Sequence, residues 1–172
     1  MASNEEWARG YALQARADYR IYEYLCGQEN FPECQRYHFL QMACEKISKA
    51  YRCWEGEDPK KLKYSHAYAA KTLPAIFMGF YRRAEIKPRV NREHLLKSFR
   101  EAARDIDLLA PTVREGGSRE DNCEYPWEDP QGSLHVPAQE RFQAIRQIET
   151  PRRHQFLTLL VRSIEEMAKA KF

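Results

Sequence analysis

The sequence predicts an all-α protein: an up-and-down bundle of about five helices, with a long loop or a short β-hairpin before the last helix. Apolar residues recur every three or four positions in five separate segments, which is the spacing of an amphipathic helix. Strand-like alternation is confined to one short segment between turn-rich stretches. With 172 residues, of which 43% are hydrophobic, the chain has the size of a single domain, which we assign to residues 1–172.

The first two predicted helices follow from their caps and apolar stripes. Helix one spans Asn4 to Gly27, with Ser3 or Asn4 as its cap. Helix two occupies "RYHFLQMACEKISKAYRCWEG" at positions 36–56, and the segment "EDPKKLKYS" after it is predicted to be a charged loop. The apolar residues of helix two are spaced by three and four and predict its core face: Leu40, Ala43, Ile47, Ala50 and Trp54.

The later helices are also bounded by specific residues. Helix three begins near Ser65, is apolar on most sides and is therefore predicted to be central, with a kink at Pro74. Asn91 caps helix four, and Thr150 caps the last helix, with Pro151 at its first position. Between these two helices, "CEYPW" and "SLHVP" around the turn "EDPQG" predict a short hairpin.

Composition and charge exclude several classes of protein. The net charge of +3 is too small for a protein that coats nucleic acid, although it permits a local basic patch. The sequence has no apolar run long enough to span a membrane, so we expect no membrane association. The five cysteines contain no CxxC pair, which argues against a zinc site or a disulfide framework; Cys44 and Cys53 are interpreted as small core residues. We therefore expect a cytoplasmic protein without metal or cofactor.

Helix two and the segments after it resemble a known family. "HFLQMACEKISKAY", followed by "SHAYAAKTL" and later by "CEYPW", resembles the HEPN domain (higher eukaryotes and prokaryotes nucleotide-binding). The resemblance implies a helical bundle that forms a homodimer, often with a nucleotidyltransferase as partner protein or within a toxin–antitoxin or phage-defence system. Some family members are metal-independent endoribonucleases with an Arg-x(4–6)-His motif drawn from two protomers, whereas others are nucleotide-binding or interaction modules.

Arg89 and His94 form one match to this nuclease motif, with four residues between them. Histidine suits acid–base chemistry on an RNA 2′-hydroxyl near neutral pH, and arginine suits the neighbouring phosphate. A second candidate is His154, which follows Arg152 and Arg153. The alternative is that His94 belongs to the first turn of helix four and that Arg89 is a solvated surface residue.

Polar residues of helix two suggest a binding surface. Their cations, together with a histidine from the start of helix three, are suited to holding a phosphate, and the tyrosine of "CEYPW" is suited to stacking on a base. The alternatives are a solvated helix face, a capping role for the histidine, a tyrosine that pins its loop to the bundle, and solvated arginines at positions 82 and 83. The predicted ligand-binding residues are Glu45, Lys46, Lys49, Arg52, His66 and Tyr125.

The sequence thus favours a HEPN-like binding or interaction module for a nucleotide or RNA. A ribonuclease that uses the Arg-x4-His motif across a dimer is the alternative.

Overall fold

The computed structural model describes residues 2–63, 68–83, 91–111, 122–142, 145, 148 and 154–170. Within these residues the chain forms six α-helices and one two-stranded hairpin, which confirms the predicted all-α class. The helices are α1 (Asn4–Cys26), α2 (Glu33–Trp54), α3 (Pro59–Leu62), α4 (Ala69–Arg83), α5 (Arg92–Asp107) and α6 (His154–Lys169). The strands are β1 (Trp127–Glu128) and β2 (Leu134–His135), and a 3-10 turn follows at Pro137–Gln139.

A capping box begins α1 where the sequence predicted it. The hydroxyl of Ser3 accepts a hydrogen bond from the backbone N–H of Glu6 at 3.1 Å, and the Glu6 carboxylate accepts one from the backbone N–H of Ser3 at 2.7 Å. Both bonds satisfy backbone donors that the first turn of a helix leaves without partners. The predicted span of helix one, Asn4 to Gly27, is confirmed to within one residue.

Helices α1 and α2 run antiparallel. Asp18 in α1 pairs with Lys46 in α2, whereas Asn4 at the start of α1 donates to the backbone carbonyl of Glu57, just beyond the end of α2. Residue numbers therefore rise along one helix as they fall along the other. The buried face of α1 begins with small side chains, which let the α2 backbone approach closely. These are Ala8, Ala12 and Ala15.

Helices α4 and α5 form a second antiparallel pair. The carboxylate of Asp107, at the end of α5, accepts hydrogen bonds from the backbone N–H groups of Ala69 and Ala70 at the start of α4, at 3.1 and 2.8 Å. Further along, the rings of Phe77 and Phe99 pack edge to face at 5.3 Å. Phe156 of α6 lies 5.0 Å from Phe77 and completes the aromatic centre of the core.

The hairpin and the cap of α5 are confirmed. Trp127 pairs with His135 across the two antiparallel strands, and Gly132 supplies the positive φ of 84° that the turn between them requires. The side chain of Asn91 accepts a hydrogen bond from the backbone N–H of Glu93, as a helix cap should. The predicted core residue Cys44 is fully buried.

Two predictions about the helices are wrong in detail. The predicted charged loop contains the short helix α3, because Asp58 caps it and Pro59 occupies its first position. Trp54 was expected in the core but is 52% exposed, because it is the last residue of α2 and lies at the end of the bundle. Pro74 lies inside helix α4, where the kink stays a prediction, and the predicted start of this helix at Ser65 lies outside the described residues. The predicted cap of the last helix at positions 150 and 151 also lies outside them.

Candidate functional site

A string of polar side chains on α2 is buried inside the bundle. Gln41, Glu45 and Lys49 are one turn apart, and their exposed fractions are only 1%, 3% and 4%. The Lys49 ammonium donates to Glu45 Oε1 at 2.5 Å, and the Gln41 amide donates to Glu45 Oε2 at 3.1 Å. The solvated helix face that the sequence allowed is therefore wrong for these residues. Lys46, whose side chain is 18% exposed, lies closer to the surface.

One oxygen of this polar string is without a hydrogen-bond partner among the described residues. The amide oxygen of Gln41 is buried, and no donor in the described part of the chain reaches it. Burying polar groups and an ion pair costs desolvation free energy, which is recovered only when the pairing geometry is good. The string is therefore a specific arrangement that depends on all of its partners.

Each cation of the predicted binding surface lies beside a carboxylate. Lys46 pairs with Asp18 at 2.5 Å, and Lys49 pairs with Glu45. Arg52 makes two contacts with Glu57: its Nε donates at 2.9 Å, and its Nη2 lies 2.7 Å from the other carboxylate oxygen. Its guanidinium also covers the Tyr68 ring, 4.4 Å from the centroid. The positive charges are thus compensated inside the protein, and the ligand-binding role of this surface stays a prediction.

The predicted catalytic residues are not brought together by the described parts of the chain. His94 is exposed in the first turn of α5, and Arg89 lies outside the described residues. The backbone of His154 is the first residue of α6. His66 also lies outside the described residues.

Tyr125 is 61% exposed and lies near the opposite end of α2 from Arg52. Its neighbour Glu124 contacts His38 at 3.4 Å, and His38 is in the second turn of α2. Because a helix rises about 1.5 Å per residue, His38 and Arg52 are separated by about 20 Å along α2. The predicted ligand-binding set is therefore divided between two ends of the bundle.

The hairpin contains a histidine with two acidic partners. His135 Nδ1 lies 2.9 Å from a Glu140 oxygen, Nε2 lies 3.1 Å from an Asp129 oxygen, and the ring stacks on Trp127 at 3.9 Å. The hydrogen bonds to Glu140 and Asp129 raise the pKa of His135, because both favour the protonated ring. Hydrogen bonds from the backbone of Ser133 and from His135 lower the pKa of Asp129.

A groove of about 380 Å³ opens at the end of the bundle where α2, α4 and α6 finish. The exposed indole of Trp54 lies at this groove beside Tyr51, which is half-buried. Burial, followed by the nearby Glu166 carboxylate, raises the pKa of Tyr51 to about 12, so this hydroxyl is protonated at neutral pH and can act as a donor. The residues that line the groove are Tyr51, Trp54, Glu55, Arg83, Glu166, Met167 and Ala170.

Two arginines are held in place beside this groove. The guanidinium groups of Arg83 and Arg162 both lie over the buried Phe80 ring, 4.8 and 4.7 Å from its centroid. Glu166 contacts both of them, at 3.6 Å from Arg83 and 2.9 Å from Arg162. Ring contact and the shared carboxylate restrict both guanidiniums while leaving 63% of the Arg83 side chain and 49% of the Arg162 side chain exposed.

This groove was not predicted from the sequence. Trp54 was expected in the core and Arg83 in a solvated cluster, and Arg162 was not among the predicted residues. One feature of the sequence could have indicated that Trp54 is exposed. It lies in the last turn of α2, and the residues that follow it, Glu55 to Asp58, are all polar or glycine.

Comparisons with known proteins do not assign the chain to a family. No protein-family model, curated protein or solved structure matched it. Among the described residues, no three His, Cys, Asp or Glu side chains gather closely enough to hold a metal ion. No helix in the same part of the chain has the length and apolar character needed to cross a membrane.

Proposed function

We propose that the protein is a non-catalytic binding module for RNA or a nucleotide, and that the groove beside Trp54 is its binding site. The observation that supports this most is an exposed indole on an open groove that Arg83 also lines, with a second guanidinium, Arg162, beside Arg83 over the same Phe80 ring. An indole face stacks on any nucleobase, and a guanidinium makes two parallel hydrogen bonds to a phosphate. The carboxylate of Glu55 is positioned on the same groove as an acceptor for a base amino group or a ribose hydroxyl.

The charges of the groove set its expected affinity. Arg83 and Arg162 share one carboxylate, Glu166, which leaves one positive charge among these three groups, and the Glu55 carboxylate on the same groove opposes part of it. We therefore expect the two arginines to bind one phosphate. RNA should bind with moderate affinity, and its binding constant should depend only weakly on salt concentration. A long, highly charged nucleic-acid track is not expected from a chain whose net charge is +3.

The resemblance extends this proposal to partners and setting. It implies a homodimer and a nucleotidyltransferase partner protein within a toxin–antitoxin or phage-defence system. These are predictions from the resemblance, and they are separate from the groove.

Binding of a fluorescein-labelled single-stranded RNA of mixed sequence, followed by anisotropy, tests the proposal. Replacing the indole in Trp54→Ala should weaken binding by about 1–3 kcal/mol, or roughly 5- to 150-fold. Arg83→Gln should weaken binding and reduce the salt slope by about 0.7, the value for one lost contact with single-stranded nucleic acid. The matched controls are Trp7→Ala, whose indole is 42% exposed on α1, and Arg100→Gln, an exposed arginine on α5.

Two results would overturn the proposal. One is an absence of binding to RNA and to free nucleotides at millimolar concentration; the other is equal binding by Trp54→Ala and the wild type. The same samples, incubated with a chelator and analysed on a gel, test the ribonuclease alternative. Cleavage that His94→Ala or His154→Ala abolishes would show a nuclease instead of a binding module.

A further inference from the structure

Three residues at the end of α2 lie on the same side of the helix and line the groove. Tyr51, Trp54 and Glu55 occupy positions three and four apart, so their side chains leave the same side of α2. The backbone N–H of Glu55 donates to the carbonyl of Tyr51 at 2.9 Å, which fixes the Glu55 backbone against the last turn. A base that stacks on the exposed indole of Trp54 can therefore present its edge to the Glu55 side chain.

The Glu55 carboxylate is open to a ligand. Within the described residues, no hydrogen bond or ion pair engages its oxygens. The other acidic side chains nearby are occupied, since Arg52 contacts both oxygens of Glu57, at 2.9 and 2.7 Å, and two arginines share Glu166. Of these three carboxylates, Glu55 is the one that can accept two hydrogen bonds from a bound molecule.

A carboxylate selects among the bases by their donors. When it is ionised, both of its oxygens only accept hydrogen bonds. Guanine presents two adjacent donors on its Watson–Crick edge, N1–H and the 2-amino group, which match the two oxygens of one carboxylate. Adenine and cytosine place an acceptor nitrogen beside their amino group, and uracil places its N–H between two carbonyl oxygens. The carboxylate repels these acceptors, so guanine is the base that fits an acceptor of this kind.

We propose that the groove selects guanine nucleotides, with the ring stacked on Trp54, N1–H and the 2-amino group bound to the Glu55 carboxylate, and the phosphate bound to Arg83. This inference rests on the proposed function, because it names the base that the same groove takes. The carboxylate and the guanidinium both line the groove, so the donor edge and the anionic group of one nucleotide have separate partners. The groove volume of about 380 Å³ is in the range of small-molecule sites.

Calorimetric titration with GMP, AMP, CMP and UMP at millimolar concentration tests the selection. A good bidentate contact with a base discriminates by about 5- to 150-fold. Because Glu55 is exposed to water, we expect the lower end of this range, about five- to tenfold in favour of GMP. Inosine monophosphate keeps N1–H but lacks the 2-amino group, so its affinity should lie between those of GMP and AMP.

The variant Glu55→Gln tests the role of the carboxylate. Glutamine offers one acceptor and one donor, so the ratio of the GMP affinity to the AMP affinity should fall to about one. The ratio is the readout, because loss of the negative charge also removes a repulsion of the phosphate and should strengthen the binding of every nucleotide. The matched control is Glu29→Gln, an exposed glutamate in the turn between α1 and α2, which should keep the ratio of the wild type.

The outcomes separate this inference from the proposed function. Equal affinities for GMP, AMP, CMP and UMP would overturn guanine selection and leave a groove that does not distinguish the bases. A preference for GMP that Glu55→Gln retains would overturn the assignment to Glu55. If none of the mononucleotides binds, guanine selection falls, while the anisotropy titration of RNA with Trp54→Ala still decides whether the groove binds RNA.

Discussion

The buried pair of Glu45 and Lys49 provides the sharpest test of how this fold is stabilised. Their side chains are only 4% and 5% exposed, so neither charge is effectively screened by water. Lys49→Met removes one charge and leaves the Glu45 carboxylate buried without its cation, beside the Gln41 amide that donates to it. Breaking a buried pair in this way costs about 3–5 kcal/mol.

The expected loss in the free energy of unfolding is large enough to measure easily. For a domain of this size, 1 kcal/mol lowers the unfolding temperature by about 2–4 °C, so Lys49→Met should unfold roughly 6–20 °C below the wild type. Urea unfolding followed by circular dichroism at pH 7 gives the free energy directly. The double variant Glu45→Gln/Lys49→Met removes both charges and keeps a carbonyl that can accept from Gln41. It should lie within about 1 kcal/mol of the wild type or above it.

Lys71→Met is the control for the substitution itself. Lys71 is exposed on α4, so its replacement should change the free energy of unfolding by no more than about 0.5 kcal/mol. The reasoning is refuted if Lys49→Met loses less than about 1 kcal/mol, since the carboxylate would then not be isolated from water. It is also refuted if the double variant is as unstable as the single one.

Three further predictions concern other parts of the chain. An NMR titration of the His135 ring should give a pKa above the ordinary value of about 6.5, because Glu140 and Asp129 both accept from it. The stabilisation from this ring is then complete below the unfolded pKa and is lost as pH rises through the folded pKa; a measured value below 6.5 would contradict this. Cys26 should react with a maleimide in the folded protein, while the four buried thiols react only on unfolding; a second fast modification in the mass spectrum would disprove it. Asp107→Ala removes the acceptor for two N–H groups that begin α4 and should cost about 1–3 kcal/mol in urea unfolding, whereas a loss near zero would mean that water replaces it.

Features that depend on neighbours in the chain were predictable from the sequence. Ser3 and Asn91 cap their helices as expected, because a cap needs only a side-chain oxygen and the next two or three backbone N–H groups. The hairpin was predictable for the same reason, since Gly132 supplies the turn locally. The link from Asp107 to the start of α4 was not predictable, because its partners are 37 and 38 residues away.

The environment of α2 shows why the spacing of apolar residues alone did not predict which of its side chains are buried. Its apolar stripe identified one buried face correctly, but α2 contacts α1, α4, α5, α6 and the 3-10 turn, so neighbours surround most of its length. Glu45 and Lys49 are buried by those neighbours, although their spacing is that of an ordinary solvated pair. Trp54 is exposed because it faces the open groove where α2, α4 and α6 finish. A helical wheel contains no information about how far adjacent helices extend.

The burial of Lys49 also decides where an anionic ligand should bind. A phosphate that reached its ammonium would meet the Glu45 carboxylate 2.5 Å from the same nitrogen, and repulsion between the two anions would cancel most of the attraction. At the groove, two guanidiniums share the Glu166 carboxylate, so a phosphate meets two cations and is repelled less than at Lys49, although Glu55 lies on the same groove. We therefore expect the folded Glu45→Gln/Lys49→Met variant to bind RNA as the wild type does, measured by anisotropy at a temperature where both are folded. Loss of binding in that variant, with retention in Arg83→Gln, would locate the anion site on α2 and refute the assignment of binding to the groove.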